Sequence, residues 1–164
     1  MSIEIVYIAL GSNLHEPQKQ IRLAIDALDS LTGLQVLKTS SLYRSSPMGP
    51  ADQPDFINAV VKAVTGFSAL DLLDRLQAIE QQMGRVRDGQ RWGPRVIDLD
   101  LLLFGSETIA TPRLTVPHYG LAERAFVLVP LAEINPGLMI PGQGALQGLL
   151  ERTDSAMIEA LEKL

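Results

Sequence analysis

The chain has 164 residues, of which 46% are hydrophobic and 20% charged, a formal charge of −5 and no cysteine. That length predicts a single domain over 1–164, large enough to bury a core without disulfide or metal staples, and the lack of cysteine excludes disulfide scaffolds, thiol nucleophiles and cysteine zinc sites. No apolar run approaches the roughly 18 residues of a membrane span, and the start, Met-Ser-Ile-Glu, lacks the basic region of a secretory signal; a cytoplasmic chain with no membrane partner is expected.

Ile3 to Leu10 is apolar on both faces, as a central strand requires. Gly11-Ser12-Asn13 is read as its break, and His15 as a surface residue. From Pro17 the positions Ile21, Ile25, Leu28 and Leu31 recur at helical spacing, with Gly33 as the stop. Leu34 to Tyr43 reads as a second strand, Ser45 to Pro54 as a long Pro- and Gly-containing loop, and Phe56 to Val64 as a third strand. Ser68 caps a helix with Leu70, Leu73, Leu76, Ile79 and Met83 on one face, ended by Gly84. Arg95 to Phe104 is the fourth strand. The order β-α-β-β-α-β predicts an α+β fold with a ferredoxin-like split βαβ core, an antiparallel sheet with helices packed on it in α/β/α layers. Beyond Thr108 the pattern gives a proline-punctuated loop, a helix near Arg124 to Ile134 and a short C-terminal helix.

Charge is unevenly placed. Arg85, Arg87, Arg91 and Arg95 fall in one short run opposed only by Asp88, inside an acidic protein. The overall sign argues against general polyanion binding, and no nucleic-acid partner is expected, while clustered arginine suits bidentate contact with phosphate oxygens. Directly after this run, Asp98 and Asp100 lie two apart in a strand, so their carboxylates share one face about 6.6 Å apart along the chain. Two like charges on one face call for compensation, for which magnesium, binding through one or two carboxylates plus substrate phosphates, is the natural candidate, the alternative being a solvated strand face. The run from Gly84 to Arg95 contains enough glycine and proline to be a long irregular loop of the kind that forms a lid. On the third strand Phe56 and Asn58 share a face, a ring and an amide suited to a flat heterocycle. His118 and Arg113 are further candidates for phosphate oxygens. No Gly-x-x-x-x-Gly-Lys-Ser/Thr and no protein-kinase signature is present, so a phosphate-transfer site here would not be a P-loop.

These residues resemble the 6-hydroxymethyl-7,8-dihydropterin pyrophosphokinase family of folate biosynthesis. The likeness is carried by Gly11-Ser12-Asn13-Leu14, by 49–59 (GPADQPDFINA), by Gly84-Arg85-Val86-Arg87, by 91–100 (RWGPRVIDLD) and by Leu114-Thr115-Val116-Pro117-His118. It implies transfer of pyrophosphate from ATP to the pterin hydroxymethyl oxygen with release of AMP, by a transferase acting on small molecules. Asp98 and Asp100 would hold two magnesium ions. Arg85 and Arg95 would contact phosphates, helped by Arg87, Arg91, Arg113, His118 and Tyr119, while Gln77, Glu80 and Thr115 would line the nucleotide site. The pterin would stack between Phe56 and Phe126, bond Asn58 and meet Ser45 and Met48, with Trp92 and Arg124 sealing the pocket. A monomer is the expected state. Three positions depart from the family pattern: Asp88 where a basic residue is common, Phe56 where tyrosine is common, and Ser45-Ser46 in place of Thr-Pro. A metal-dependent phosphohydrolase or a catalytically silent nucleotide-binding module would use the same carboxylates and arginines.

Overall fold

The computed structural model describes residues 3–47, 52–84, 95–156 and 158–164. Met48, Arg85, Arg87, Asp88, Arg91 and Trp92 lie outside the described residues. Strand β1 (Glu4–Ser12), helix α1 (Pro17–Asp29), strands β2 (Leu34–Thr39), β3 (Ser41–Ser45) and β4 (Phe56–Thr65), helix α2 (Ala69–Gln82) and strand β5 (Asp98–Phe104) follow in that order. Helix α3 (Ala125–Ile134), helix α4 (Leu146–Glu151) and a C-terminal strand (Glu159–Lys163) complete the chain. The sheet runs C-terminal strand, β3, β4, β1, β5, with β2 also on β4, and each of these pairings is antiparallel. This is the expected split βαβ order.

The period-2 alternation of the strands divides their side chains between two cores. Val6, Ile8 and Leu10 of β1, Ile57, Ala59, Val61 and Ala63 of β4, and Leu99 and Leu101 of β5 pack with Ile21, Ala24 and Leu28 of α1 and Leu72, Leu76 and Ile79 of α2. Tyr7, Val60, Leu102 and Leu103 pack on the opposite side with Val127, Leu128, Leu131 and Ile134 of α3 and Leu146 and Leu149 of α4. A register shift between β1 and β5 falls where Tyr7 pairs with Leu103 and Ile8 with Leu101. The unpaired Leu102 is a bulge residue, which is why two consecutive leucines enter the same core.

Helix α2 begins as its sequence predicts: Ser68 Oγ accepts from the Asp71 amide at 3.2 Å, a cap that contributes about 1 kcal/mol. It ends at Gly84, whose φ of +95° is open to glycine without strain. Three expectations need correction. Gly11 and Ser12 do not break β1; they are its last two residues and pair with Asn58 and Ile57. Leu34 to Tyr43 is not one strand, because Ser40 interrupts it. The Ser40 hydroxyl accepts from the Val60 amide at 2.9 Å and donates to the Ser41 carbonyl at 2.8 Å, so a side chain takes the place of a backbone carbonyl and the chain shifts register against β4. The end of the chain carries a strand after α4, which pairs with β3 at Glu159↔Arg44 and Ala160↔Tyr43. Its charged face, bonded by Arg22 to Glu162 and Arg44 to Glu159, conceals a strand from any search for apolar alternation.

Candidate active site

The sheet face beneath α3 brings candidate residues from β4 and β5 together at one end. Strand β1 lies between β4 and β5, and the registers align Asn58, Gly11 and Asp98 in one row and Val60, Ala9 and Asp100 in the next. With neighbouring strands about 4.8 Å apart, the amide and the carboxylates stand roughly 10 Å from each other across a floor of two small residues. A Cβ on Gly11 would meet Asn58 Oδ1 at 3.5 Å and Phe56 Cδ1 at 3.8 Å. Glycine thus keeps the floor low between the two functional strands.

Above that floor is a cavity of about 320 Å³ lined by Gly11, Ser45, Phe56, Asn58, Arg95, Asp98, Asp100, His118, Tyr119, Arg124 and Phe126 among others. Of the pterin-side candidates, Ser45, Phe56, Asn58, Arg124 and Phe126 all line it. Asn58 is 5% exposed and donates through Nδ2 to Ser45 Oγ at 2.7 Å; that bond fixes the amide orientation and turns its carbonyl oxygen toward Gly11. The Arg124 guanidinium stands 5.2 Å from the Tyr119 ring centre and 5.9 Å from that of Phe126, within cation–π range of both.

The phosphate-side candidates fall into two groups. Arg95, Asp98, Asp100, His118 and Tyr119 line the cavity. Asp98 and Asp100 are half-buried and open to it, with Arg95 Nε 3.9 Å from Asp98 Oδ1. Gln77, Glu80, Arg113 and Thr115 stand apart from this lining, at the edge of β5 and on α2. Arg113 bonds Asp74 at 2.6 Å and reaches Gln77 at 3.5 Å, and Thr115 sits in a two-residue ribbon with Ala110. Glu80 is 2% exposed and accepts the Leu99 amide at 2.8 Å. Since β5 is the last strand of the sheet among the described residues, Glu80 satisfies an edge amide on the residue between the two aspartates.

His118 is held from two sides. Its amide donates to the Leu102 carbonyl at 3.0 Å, and its Nδ1 accepts from the Gly120 amide at 3.1 Å. Burial, followed by the nearby Arg124 charge, pushes its pKa down to about 4, against the opposing pull of Asp98. The ring is neutral at physiological pH, with its proton on Nε2.

A third set was invisible to pattern reading. Asn13 is 2% exposed and joins the segment before β4 to the segment before β5. Glu133, the one charge in the apolar α3, accepts from the Ser41 amide, the Ser41 hydroxyl and the Tyr43 hydroxyl at 2.8, 2.8 and 2.7 Å, tying α3 to β3. A lone carboxylate in an otherwise apolar helix was the available signal for Glu133. Asn13 had only its place in the Gly-Ser-Asn-Leu block.

Two half-exposed carboxylates sharing a face supply hard oxygen ligands of the kind magnesium takes, and leave its remaining positions to water and substrate oxygens. The donor set therefore fits that ion. Among the described residues, no helix is long and apolar enough to cross a membrane.

Comparison with known proteins agrees in family and in fold. The model of the 7,8-dihydro-6-hydroxymethylpterin-pyrophosphokinase (HPPK) family matches residues 7–136. A 2-amino-4-hydroxy-6-hydroxymethyldihydropteridine pyrophosphokinase of Pseudomonas aeruginosa is 51% identical over 162 residues, covering 99% of this chain and 98% of the relative. That of Haemophilus influenzae is 49% identical over 154 residues, covering 93% and 96%. The crystal structure of wild-type Plasmodium falciparum HPPK-DHPS with pteroate superposes with a TM-score of 0.74 at 16% identity, over 92% of this chain and 42% of that one. This chain spans less than half the length of that protein, and the likeness bears on the fold alone. By the family match and by its identity to full-length relatives, the chain belongs to the 7,8-dihydro-6-hydroxymethylpterin-pyrophosphokinase family.

Proposed function

We propose that this chain transfers the terminal pyrophosphoryl group of ATP to the hydroxymethyl oxygen of 6-hydroxymethyl-7,8-dihydropterin, giving AMP and the pterin pyrophosphate for folate biosynthesis. The observation that carries this reading is the shared sheet face: a ring and an amide on β4, Phe56 and Asn58, stand across a Gly11 floor from the carboxylate pair on β5. A flat heterocycle laid on that floor points one end toward Asp98 and Asp100.

The pterin stacks between Phe56 and Phe126. Its polar edge pairs with Asn58, whose orientation Ser45 has already fixed, so little ordering remains to be done on binding. Arg124 closes that side, with Met48 and Trp92 as further pterin contacts. Asp98 and Asp100 would hold magnesium, two ions in this reading, which neutralise phosphate oxygens and lower the pKa of a bound hydroxyl. Arg95, beside Asp98, and the Nε2 proton of neutral His118 donate to phosphate oxygens on the carboxylate side of the cavity, where negative charge builds as the group transfers. Arg85, Arg87, Arg91, Arg113 and Tyr119 assist on the phosphates, and Gln77, Glu80 and Thr115 face the nucleoside. No dedicated general base is needed if both substrates are held in line; positioning and charge stabilisation carry the rate. The working unit in this reading is a monomeric, cytoplasmic, single-domain enzyme over 1–164, with no nucleic-acid partner.

The test is the nucleotide product after incubation with MgATP, with and without the pterin. AMP formed one-for-one with pterin pyrophosphate, and only with pterin present, is the expected result. ADP or free phosphate without pterin would establish a phosphohydrolase instead, and no product at all a silent binding module.

A further inference from the structure

We infer that Asn13 is a positioning residue for this reaction, the part that fixes the pterin-binding half of the site against the phosphate-binding half. The inference rests on the proposed function, in which Phe56 and Asn58 serve one substrate and Arg95, Asp98 and Asp100 the other. Strand β1 separates the two halves, and its pairing ends at Ser12↔Ile57 on one side and Gly11↔Asp98 on the other. Asn13 is the next residue, and it continues the pairing in both directions.

Toward β5, its amide donates to the Arg95 carbonyl at 3.0 Å and its Oδ1 accepts the Arg95 amide at 2.8 Å. Toward β4, its Nδ2 donates to the Pro54 carbonyl and to Gln53 Oε1, each at 2.9 Å. One side-chain amide thus uses both hydrogens and its oxygen, buried to 2% exposure, to join two segments that are 41 residues apart at Pro54 and Arg95. Pro54 stands two residues before Phe56, and Arg95 three before Asp98. The amide acts as a peptide unit laid across the sheet, setting where each functional strand starts relative to the other. Immediately after it the chain turns through His15 and Glu16 at φ of 55° and 62°, left-handed conformations that cost non-glycine residues on the order of 1 kcal/mol or more. The helix that follows is reached at that cost with Asn13 kept in place.

The role needs two donors and an acceptor on one short side chain. Aspartate keeps the bond to the Arg95 amide but turns a second acceptor toward the Gln53 and Pro54 oxygens, and alanine removes all three side-chain bonds. Neither change touches a group that contacts substrate. The expected signature is a loss in the transfer step with each substrate still bound, since each half remains intact and only their mutual geometry is lost.

The test compares wild type with Asn13→Asp by single-turnover kinetics at saturating MgATP and pterin, together with the Kd of each ligand alone. AMP formation in the wild type that depends on pterin establishes the reading beneath the inference; its failure there would be a failure of the proposed function and not of Asn13. Given an active wild type, Asn13→Asp should lose at least tenfold in the single-turnover rate while each Kd shifts less than threefold. Part of that loss should return, relative to wild type, as pH falls and the new carboxyl protonates into a donor. Gln53→Ala, which leaves the bonds to Arg95 and Pro54 intact, should show a smaller loss in the same step, and the two losses should combine to less than their sum in the double variant. It serves as the test should Asn13→Asp fail to fold. An unchanged rate, or a loss confined to ligand Kd or to unfolding temperature, would overturn the inference.

Discussion

The amide of Gly120 donates to Nδ1 of His118 at 3.1 Å, and this one bond decides which ring nitrogen the cavity meets. Because a backbone amide can only donate, Nδ1 must be unprotonated and the neutral ring must carry its hydrogen on Nε2. In the metal-free protein, nitrogen NMR should therefore show His118 as the Nε2–H tautomer at neutral pH, with the imidazolium forming only near pH 4. Burial lowers this pKa below its unfolded value of about 6.5, so the folded state binds fewer protons than the unfolded one between these limits. The contribution of His118 to stability is complete above about pH 6.5 and is lost as pH falls toward 4. A ring that titrates near 6.5 would remove His118 from the buried wall of the site.

Gly120 has a second consequence. Its φ of −98° and ψ of 2° are open to alanine, yet a Cβ there would overlap the Arg124 guanidinium. Gly120→Ala is thus expected to leave the fold within about 1 kcal/mol of wild type while displacing Arg124 from between Tyr119 and Phe126. The pterin KM should rise roughly tenfold, the loss of one well-placed contact worth about 1.4 kcal/mol. In an Arg124→Ala background the same substitution should do nothing further, because the residue it displaces is gone. Equal effects in both backgrounds would mean that Gly120 acts through the backbone.

Some of this was legible in the sequence and some was not, for physical reasons. Strand periodicity puts Asp98 and Asp100 on one face and Phe56 and Asn58 on one face, but cannot say that the two faces are the same one. That follows from the registers on either side of Gly11. Helices announced themselves through apolar spacing and the Ser68 cap. The C-terminal strand did not, because an edge strand held by Arg22–Glu162 and Arg44–Glu159 has no apolar stripe. Ser40 and Asn13 work by substituting a side chain for a backbone group, and nothing in local composition distinguishes that role from an ordinary loop polar residue. The separation of Gln77, Glu80, Arg113 and Thr115 from the cavity lining is likewise a matter of which side of β5 a helix covers.

The carboxylate pair makes separate predictions for activity and for stability. Asp98→Asn and Asp100→Asn should each lower turnover at least a hundredfold, the scale of losing metal-assisted charge stabilisation. Each substitution removes one of two like charges sharing a face, against which Asp98→Asn gives up the Arg95 contact at 3.9 Å, so the unfolding temperature without ligand should change far less than turnover does. In the wild type, MgATP should raise the unfolding temperature by binding the folded state, and this increment should shrink in both variants. A variant that keeps full turnover would take that aspartate out of the proposed metal site.

Glu133 tests how far the site depends on the layer beneath it. Burial alone would raise its pKa, but the Ser41 amide, the Tyr43 and Ser41 hydroxyls and the charge of Lys163 together hold it below the ordinary carboxylate value. The same pairing, with burial as the larger cause, drives the Tyr43 phenol well above its usual range. Removing the carboxylate in Glu133→Ala leaves the Ser41 amide and two hydroxyls without this acceptor, at a cost of about 1–2 kcal/mol, because Glu133 itself is exposed and water can take its place. A carboxylate pKa depressed on folding means that the native state binds fewer protons than the unfolded chain. Its stabilisation is complete above the unfolded value of about 4.3 and is lost as pH falls through the lower native value. Denaturant unfolding from neutral pH down into this acid range should show the difference between wild type and Glu133→Ala narrowing as the wild-type carboxylate protonates. Because Glu133 holds β3 through Ser41 and Tyr43, and β3 ends at Ser45, the variant should also raise the pterin KM more than the MgATP KM. A difference in stability that stays constant with pH would assign the loss to packing of α3 instead of to the charge.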